Sequence, residues 1–565
     1  MKFNLNNKRI RRDIDPDEIF LDSQNLPEFN TQQFEGRLEK PIPKRSIYLL
    51  AIFFVFMAGV FMWHVGVLQI AKGEAYSQKS ENNTLTKQPI FADRGLIYDR
   101  KNTLLAWNTW DKTDLNKFEA PARSYISKSG FGLLLGYVSA PAKDSSGNYW
   151  QDSFIGKDGI EKAYNTNLTG TNGVRITETD VSGRVQSENT VSPPKSGDNI
   201  NLSIDARIQE AMYKSIVAMA NNVSFSGGAG VLMDIKTGEL LALTSYPEYN
   251  PTILSDGKDK KTINGYFDDK RKVFLNRAVS GLYTPGSIVK PFIGYGALVE
   301  NVISPLKQIF ANGSISIPNP YFPDKKTTFK DHGTFGYVDI EKAIAVSSDV
   351  YFYEIGGGFQ DQKGLGIVNI DKYAQMFGIA QKTGVDIGGE KSGTIPTPEW
   401  KAKTFNGDIW RIGDTYNTAI GQYGFQVTPL QMARAIAGIA SNGTLPTPHL
   451  RVGDKALEAK KVTIPVDVNN MKVIQNAMRH VVTEGTATAL NLPQVAVAAK
   501  SGTAQVGVGN TNTNSWIVGF FPYDNPKYSF AILMERGPKA ASGNATQVMR
   551  EVVDFMSVNT PEYLK

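Results

Sequence analysis

The chain has 565 residues, 41% of them hydrophobic and 21% charged, a length and balance that suit several folded domains. Its net charge of +6 is spread along the sequence with no block of lysines and arginines, which argues against a nucleic-acid partner. The absence of cysteine excludes disulfides, iron–sulfur clusters and cysteine-based zinc sites. Residues 1–45 are polar and of mixed charge, and read as a flexible tail. Residues 46–71 contain "IYLLAIFFVFMAGVFMWHVGVLQI" (Ile47–Ile70), an uncharged run long enough to cross a bilayer as a helix. It is too long for a signal-peptide core and no small-residue cleavage site follows, so it is expected to be a retained anchor. Arg37, Lys40, Lys44 and Arg45 precede it, while Lys72 and Lys79 are the nearest basic residues after it. The positive-inside rule then places the N-terminus in the cytoplasm and the bulk of the chain outside.

Residues 72–195 read as a small module of short strands and turns. In it, "DRGLIYDRKNTLLA" (93–106) is a hairpin turning at Arg100–Asn102, and 156–185 pairs a short helix with a Gly-punctuated hairpin. "SENTVSPPKSGDN" (187–199) is expected to be a linker. Residues 196–565 read as one large α/β unit. A strand leads into a helix that Asp205 caps, "GAGVLMDIKTGELLALTSYP" (228–247) is a hairpin, helical patterns fill the middle, and strands return near 495–535. Strands at both ends predict one sheet joining early and late segments.

Chemistry-bearing residues fall in three clusters. Of the Ser-x-x-Lys pairs Ser192–Lys195, Ser255–Lys258, Ser287–Lys290 and Ser304–Lys307, only that of Ser287 opens an apolar run, "IVKPFIGYGALVE". A serine in a first helical turn faces unpaired N–H groups, and Lys290 lies on the same face nearly one turn later. A lysine held among apolar groups loses proton affinity and can act as base to a serine nucleophile. Taken alone, the pair is better read as a helix cap with a solvated lysine. Ser347 and Asp349 in "AVSSDVYFYEIG" leave one predicted helix and can be aimed into a cleft, although taken alone the pair is better read as a capping turn. Lys500, Ser501, Gly502 and Thr503 end an apolar strand, "VAVAAKSGTAQV", where Gly502 permits close approach of a substrate backbone and the lysine with two hydroxyls suits a carboxylate.

In this order the clusters resemble those of penicillin-binding proteins and serine β-lactamases, and the spacings of 60 and 153 residues suit the former. "RGLIYDRKNTLLA", "GIEKAYNTNLTGTNG", "TPGSIVKPF", "SSDVYFYEIG" and "GDTYNTAIGQYGFQVTPLQMA" look like class B penicillin-binding proteins of the penicillin-binding protein 2 type, from about residue 93 onward. The resemblance implies a single transmembrane anchor, a small β-rich pedestal module and a C-terminal α/β penicillin-binding transpeptidase domain. It implies a peptidoglycan D,D-transpeptidase in the bacterial inner membrane, taking stem peptides, acylated by β-lactams and needing no cofactor. On that pattern Ser287 is the nucleophile and Lys290 its base. Ser347 and Asp349 relay protons, and Lys500 orients them. Ser501, Gly502 and Thr503 hold the substrate, with the Ser287 and Thr503 N–H groups as oxyanion hole. A SEDS-type, RodA-like membrane glycosyltransferase is the implied partner.

The chain departs from the pattern in four places. Asp349 stands where many relatives have Asn, as is familiar in the penicillin-binding protein 2 group. "GQYG" (421–424) has Tyr423 beside the usual Gly-Gln, with no consequence visible in sequence. Some relatives carry zinc near the Ser-x-Asp segment; Asp331 and His332 lie nearby, but Ser348 and the lack of cysteine count against a metal. The stretch between "NTLLAWN" (102–108) and "GLLLGYVSAP" (132–141) is much shorter than the usual head subdomain, which puts that contact with the polymerase in doubt. Other readings are a β-lactam sensor or β-lactamase-like hydrolase, and a catalytically silent scaffold of a cell-wall complex. A bifunctional enzyme with its own glycosyltransferase domain is excluded by the short segment between anchor and transpeptidase.

Overall fold

The computed structural model describes residues 43–82, 85–110, 121–145, 149–179, 185–319, 321–322, 324–539 and 543–565. The expected tail lies outside them as far as residue 42, as do residues 111–120 of the stretch where the head subdomain is shortened. The chain divides into two units, Met1–Thr86 with Glu178–Arg184, and Lys87–Thr177 with Val185–Lys565.

In the first unit, Lys44–Gly66 is α-helical and continues as a π-turn, Val67–Ala71. The 28 residues have a mean hydropathy of 2.2 over their most apolar window, and none of the side chains from Lys44 to Gly66 is buried. A helix of this length spans ~42 Å, more than the ~30 Å hydrocarbon core of a bilayer.

The second unit starts with the predicted hairpin. Ile97 pairs with Ala106 and Tyr98 with Leu104, with a bulge between. Asp99 makes the turn by accepting Lys101 N–H and Thr103 N–H, at 2.8 and 2.7 Å, and Asn102 takes φ +62°. The arginine of "DRG" is structural: Arg94 and Arg123, both buried, hold the fully buried Glu161 at 2.5 and 2.7 Å. The expected linker at 187–199 is corrected in its first half, because Val185–Ser192 is a strand beside Gly173–Thr179. Its residues from Ser187 to Thr190 are exposed, so no apolar alternation marks it in the sequence.

The large region is built on α1 (Ala206–Val223), β1 (Gly227–Asp234), β2 (Leu240–Tyr246), α2 (Lys290–Val299), α3 (Ile340–Val346), α4 (Asp349–Gly357), α5 (Pro429–Ala440), α6 (Val468–Thr483), β3 (Ala498–Val506), β4 (Asn512–Phe521), β5 (Tyr528–Pro538) and α7 (Ala545–Asn559). Asp205 caps α1 through Arg207 N–H, as the sequence predicts. The five strands form one sheet, β2-β1-β5-β4-β3, antiparallel throughout, so early and late segments do share it. Strand β1 is buried residue after residue from Gly227 to Met233, which requires cover on both faces. Helices α1 and α5 both pack on it, and α7 packs against α1 and the late strands. The middle is less helical than predicted: Ile309–Ala311 pairs with Gly336–Val338, and Ser314–Pro318 with Lys326–Lys330.

Candidate active site

The segment "TPGSIVKPF" forms a 3-10 turn, Gly286–Val289, that runs into α2. Gly286 has φ +58°, a conformation glycine tolerates and a β-carbon resists. Its N–H donates to Gly421 O at 2.9 Å, and a Cβ on Gly421 would lie 2.1 Å from Gly286 O. The glycine that opens "GQYG" is therefore required by contact with the serine turn. Trp516 Nε1–H donates to Thr284 O at 3.0 Å and fixes the turn from β4. Ser287 is half-buried at the start of this turn.

Lys290 is fully buried, as expected, but its ammonium is turned to the second cluster. Nζ donates to Ser347 O at 2.6 Å, to Ser348 O at 3.2 Å and to Asp349 Oδ1 at 2.6 Å, and it lies 5.3 Å from the centre of the Phe352 ring. Ser347 ends α3 in the left-handed region, φ +64° and ψ +33°, a strained state for a non-glycine residue that is characteristic of functional sites. Ser348 then caps α4 through Tyr351 N–H.

From the third cluster, Lys500 Nζ reaches Ser347 Oγ at 2.8 Å and Ser501 O at 2.9 Å. Full burial lowers its proton affinity well below that of an ordinary lysine, and the charge of Lys290 lowers it further. Asp349 behaves in the opposite sense: burial raises its pKa, but the Lys290 charge and hydrogen bonds outweigh this and hold it below the usual carboxylate range. Ser501 and Thr486 share a hydrogen bond of 2.5 Å between their hydroxyls. Gly502 has a second reason to be glycine, since a Cβ there would meet Ile288 Cγ2 at 2.8 Å and Pro285 O at 3.0 Å. Strand β3 thus lies flush against the serine turn and is the last strand of the sheet.

All three clusters open on one cavity of about 790 Å³, which Ser287, Ser347, Asp349, Ser501, Gly502 and Thr503 help to line. Lys290 and Lys500 are buried behind these residues. Sequence reading did not place His332, Trp516 or Thr486 in the site, and saw no role for Tyr423, yet all four line the cavity. For these, the sequence signals were "GQYG" and the nearness of Asp331 and His332 to the Ser-x-Asp segment. Tyr423 has φ +61° and packs against Trp400, Phe405 and Trp410 in an aromatic wall.

Ligand atoms of Asp331, His332 and Asp349 lie within 4.8 Å of one another, the spacing of a candidate zinc site. The donor set here does not fit that ion. His332 Nδ1 donates to Asp331 Oδ1 at 2.9 Å and Nε2 to Val346 O at 3.2 Å, so neither ring nitrogen offers a lone pair. The Asp331 hydrogen bond and the Asp349 carboxylate, 3.9 Å away, push the imidazole pKa up to about 9. Asp331 Oδ2 accepts Ser348 Oγ–H at 2.7 Å and Val350 N–H at 2.9 Å. Ser348, Asp331 and the His332 imidazolium therefore join the Ser-x-Asp turn to Asp349 by hydrogen bonds and charge.

Comparison with known proteins places this geometry. Residues 228–554, more than half of the chain, match the penicillin binding protein transpeptidase domain, and residues 114–202 match the penicillin-binding protein dimerisation domain. The chain is 28% identical to the peptidoglycan D,D-transpeptidase MrdA of Haemophilus influenzae, over 93% of this chain and 94% of that protein. The structure is similar to that of Pseudomonas aeruginosa penicillin-binding protein 2 in complex with WCK 5153, with a TM-score of 0.70 and 30% identity over 85% of this chain and 98% of that one. It is also similar to Helicobacter pylori penicillin-binding protein 2 in its complex with MreC, with a TM-score of 0.68 and 27% identity over 84% of this chain and 98% of that one. The chain belongs to the penicillin-binding protein transpeptidase family and, within it, to the penicillin-binding protein 2 group.

Proposed function

We propose that this chain is a membrane-anchored peptidoglycan D,D-transpeptidase working through an acyl-enzyme on Ser287. The observation that carries this reading is the convergence on one cavity of three distant segments, with Lys500 Nζ 2.8 Å from Ser347 Oγ and Lys290 Nζ 2.6 Å from Asp349. Ser287 Oγ attacks the penultimate D-Ala carbonyl of a stem pentapeptide as its proton passes to Lys290. The oxyanion is held by the N–H groups of Ser287 and Thr503, a preorganised pair in which each donor is worth ~3 kcal/mol. The peptide C–N bond breaks, and the departing amine of terminal D-Ala takes the proton by way of Ser347. An amine of a neighbouring stem then attacks the ester, loses a proton to the same groups and restores Ser287. Ser501, Gly502 and Thr503 on the open edge of β3 bind the donor peptide and its carboxylate. A β-lactam acylates Ser287 by the first half of this sequence.

A second reading of the base rests on the Lys500–Ser347 hydrogen bond and the lowered proton affinity of Lys500. There Ser347 accepts the Ser287 proton and passes its own to Lys500, while Lys290 remains an ion-pair partner of Asp349. Arginine keeps the charge but does not release a proton at these pH values. Under the first reading Lys290→Arg loses acylation and Lys500→Arg retains part of it; under the second the order reverses.

The test of the function is chemical. Full-length protein in detergent is labelled with a fluorescent penicillin, digested and mapped by mass spectrometry. An adduct on the peptide holding Ser287 supports the reading; an adduct elsewhere, or none on folded protein, removes it. Localisation follows from the charges around the span: the N-terminus in the cytoplasm, residues 46–71 in the inner membrane, and the pedestal at 72–195 and transpeptidase domain at 196–565 outside. A transpeptidase without polymerase activity needs glycan strands, so a RodA-like SEDS glycosyltransferase is its partner. The MreC complex of the Helicobacter pylori relative supports a scaffold contact as well.

A further inference from the structure

Far from the serine, at the other edge of the sheet, the structure gathers a second set of ligating side chains. Glu239 lies in the β1–β2 hairpin, His449 in the segment that follows α5, and Glu458 ends the short helix Lys455–Glu458. One ligand atom from each lies within 4.8 Å of the others. His449 is fully buried. Its Nδ1 lies 3.0 Å from Thr447 O, a pure acceptor, so Nδ1 carries the hydrogen and Nε2 the lone pair. Nε2 is buried and has no hydrogen-bond partner.

The histidine is held rigidly for a side chain with an unused lone pair. Its N–H donates to Gly238 O and its carbonyl accepts Leu240 N–H, both at 3.0 Å, while Ser203 Oγ–H donates to the same carbonyl at 3.1 Å. Gly238 has φ +86°, and a Cβ there would lie 2.3 Å from Thr447 O, so the hairpin turn is pressed against the histidine segment. Glu239 Oε1 accepts Gly453 N–H at 3.0 Å and Oε2 lies 3.3 Å from Arg100. Among the described residues Glu458 pairs with Lys455 alone, at 3.1 Å, whose side chain is 84% exposed and free to swing away.

We propose that Glu239, His449 and Glu458 bind a divalent transition-metal ion, zinc by preference, as a structural clamp at the edge of the sheet opposite the catalytic strand. One imidazole nitrogen and two carboxylates suit zinc, with water as a fourth ligand. The Nδ1–H···O=C bond to Thr447 is the outer-shell contact that fixes the tautomer of a metal-bound histidine. Ligands at ~2.1 Å from a shared ion stand at most ~4.2 Å apart, so the three close in slightly, and the half-buried Glu458 at its helix end supplies the movement. The ion ties the segment around residues 447–458 to the hairpin turn and, through Glu239, to Arg100 of the N-terminal module.

The test uses full-length protein in detergent, zinc alone as the probe, and competition against a chromophoric chelator. Wild type is expected to hold one tightly bound zinc, and His332→Ala to hold it equally well. Glu458→Gln, a change at a half-buried helix end that leaves the core intact, should weaken binding at least ~100-fold, more than the loss of an outer-shell contact, and keep its penicillin labelling. His449→Gln should do the same. Absence of tight zinc in wild type, binding by folded Glu458→Gln equal to wild type, or loss of the ion in His332→Ala instead would each overturn the proposal. The last result would place the ion at the Asp331 cluster.

Discussion

The two edges of the central sheet are treated in opposite ways. At β2 the outer hydrogen-bonding groups are used up inside the protein. Leu243 N–H donates to the buried Gln209 side chain, Leu243 O accepts from it, Leu241 O accepts Asp205 N–H, and Leu240 is bonded on both sides by His449 and Ser203. At β3 no described strand pairs with the outer side, and the serine turn lies alongside. An open edge is a template for another chain, and folded proteins usually cover it. The contrast fits the proposed function, in which an extended peptide adds backbone bonds at β3 while Ser501 and Thr503 offer hydroxyls. Polarity follows the same division. Beside β3 the protein buries two lysines, Lys290 and Lys500, within reach of the Ser347–Asp349 turn. Such groups cost stability, and the proposed function gives them chemistry to do.

This comparison is broken most completely at the nucleophile. Ser287→Ala should abolish covalent penicillin labelling, whereas Ser192→Ala, Ser255→Ala and Ser304→Ala should label as wild type; residual labelling of Ser287→Ala on a fluorescent gel would sink the assignment. Next in size, Lys290→Arg should slow acylation by about 10²–10⁴-fold, the usual contribution of a proton-transfer group, while its thermal midpoint stays close to wild type. Stopped-flow acylation and calorimetry check the two halves. Gly502→Ala places a methyl group 2.8 Å from Ile288 Cγ2 and should push the serine turn away from β3. A displacement approaching 1 Å costs up to about 10²-fold in acylation rate, so an unchanged rate constant would mean that the contact is not needed for the geometry.

At the closed edge the effect should fall on stability alone. Gln209→Leu leaves Leu243 N–H and O and Gly130 O without their partner, and should cost several kcal/mol in denaturant unfolding, at about 1–3 kcal/mol for each buried group left unpaired. Labelling per folded molecule should be unchanged; a loss of labelling would show that the two edges are coupled. The smallest effect concerns His332. Its pKa is raised from 6.5 unfolded to about 9 folded, so its stabilisation is fully present below pH 6.5 and lost as pH rises through about 9. The stability gap between wild type and His332→Gln should therefore close across that window, and a gap that widens instead would reverse the sign assigned to the imidazolium.

Short-range patterns were legible in the sequence. Asp205 caps its helix, the 93–106 and 228–247 segments are hairpins, and the apolar run near the N-terminus is a long helix. The Ser287, Ser347 and Lys500 clusters were legible because each is a few residues in a distinctive local setting. The polar strand Val185–Ser192 was not, because its pairing has no apolar face to mark it.

Alone, then, the sequence determined the apolar span, the two hairpins, the family and the three clusters that converge, since periodicity, capping and motif spacing are properties of neighbouring residues. Tertiary structure decided which groups meet. It turned Lys290 towards Asp349, placed Lys500 on the Ser347 hydroxyl and held Ser347 in a left-handed conformation. It also gave Gly502 and Gly421 their packing reasons, set His332 between two carboxylates and left His449 with a buried lone pair. Burial, proton affinity and close contact depend on atoms brought together from far along the chain, and that information appears only when the sheet closes.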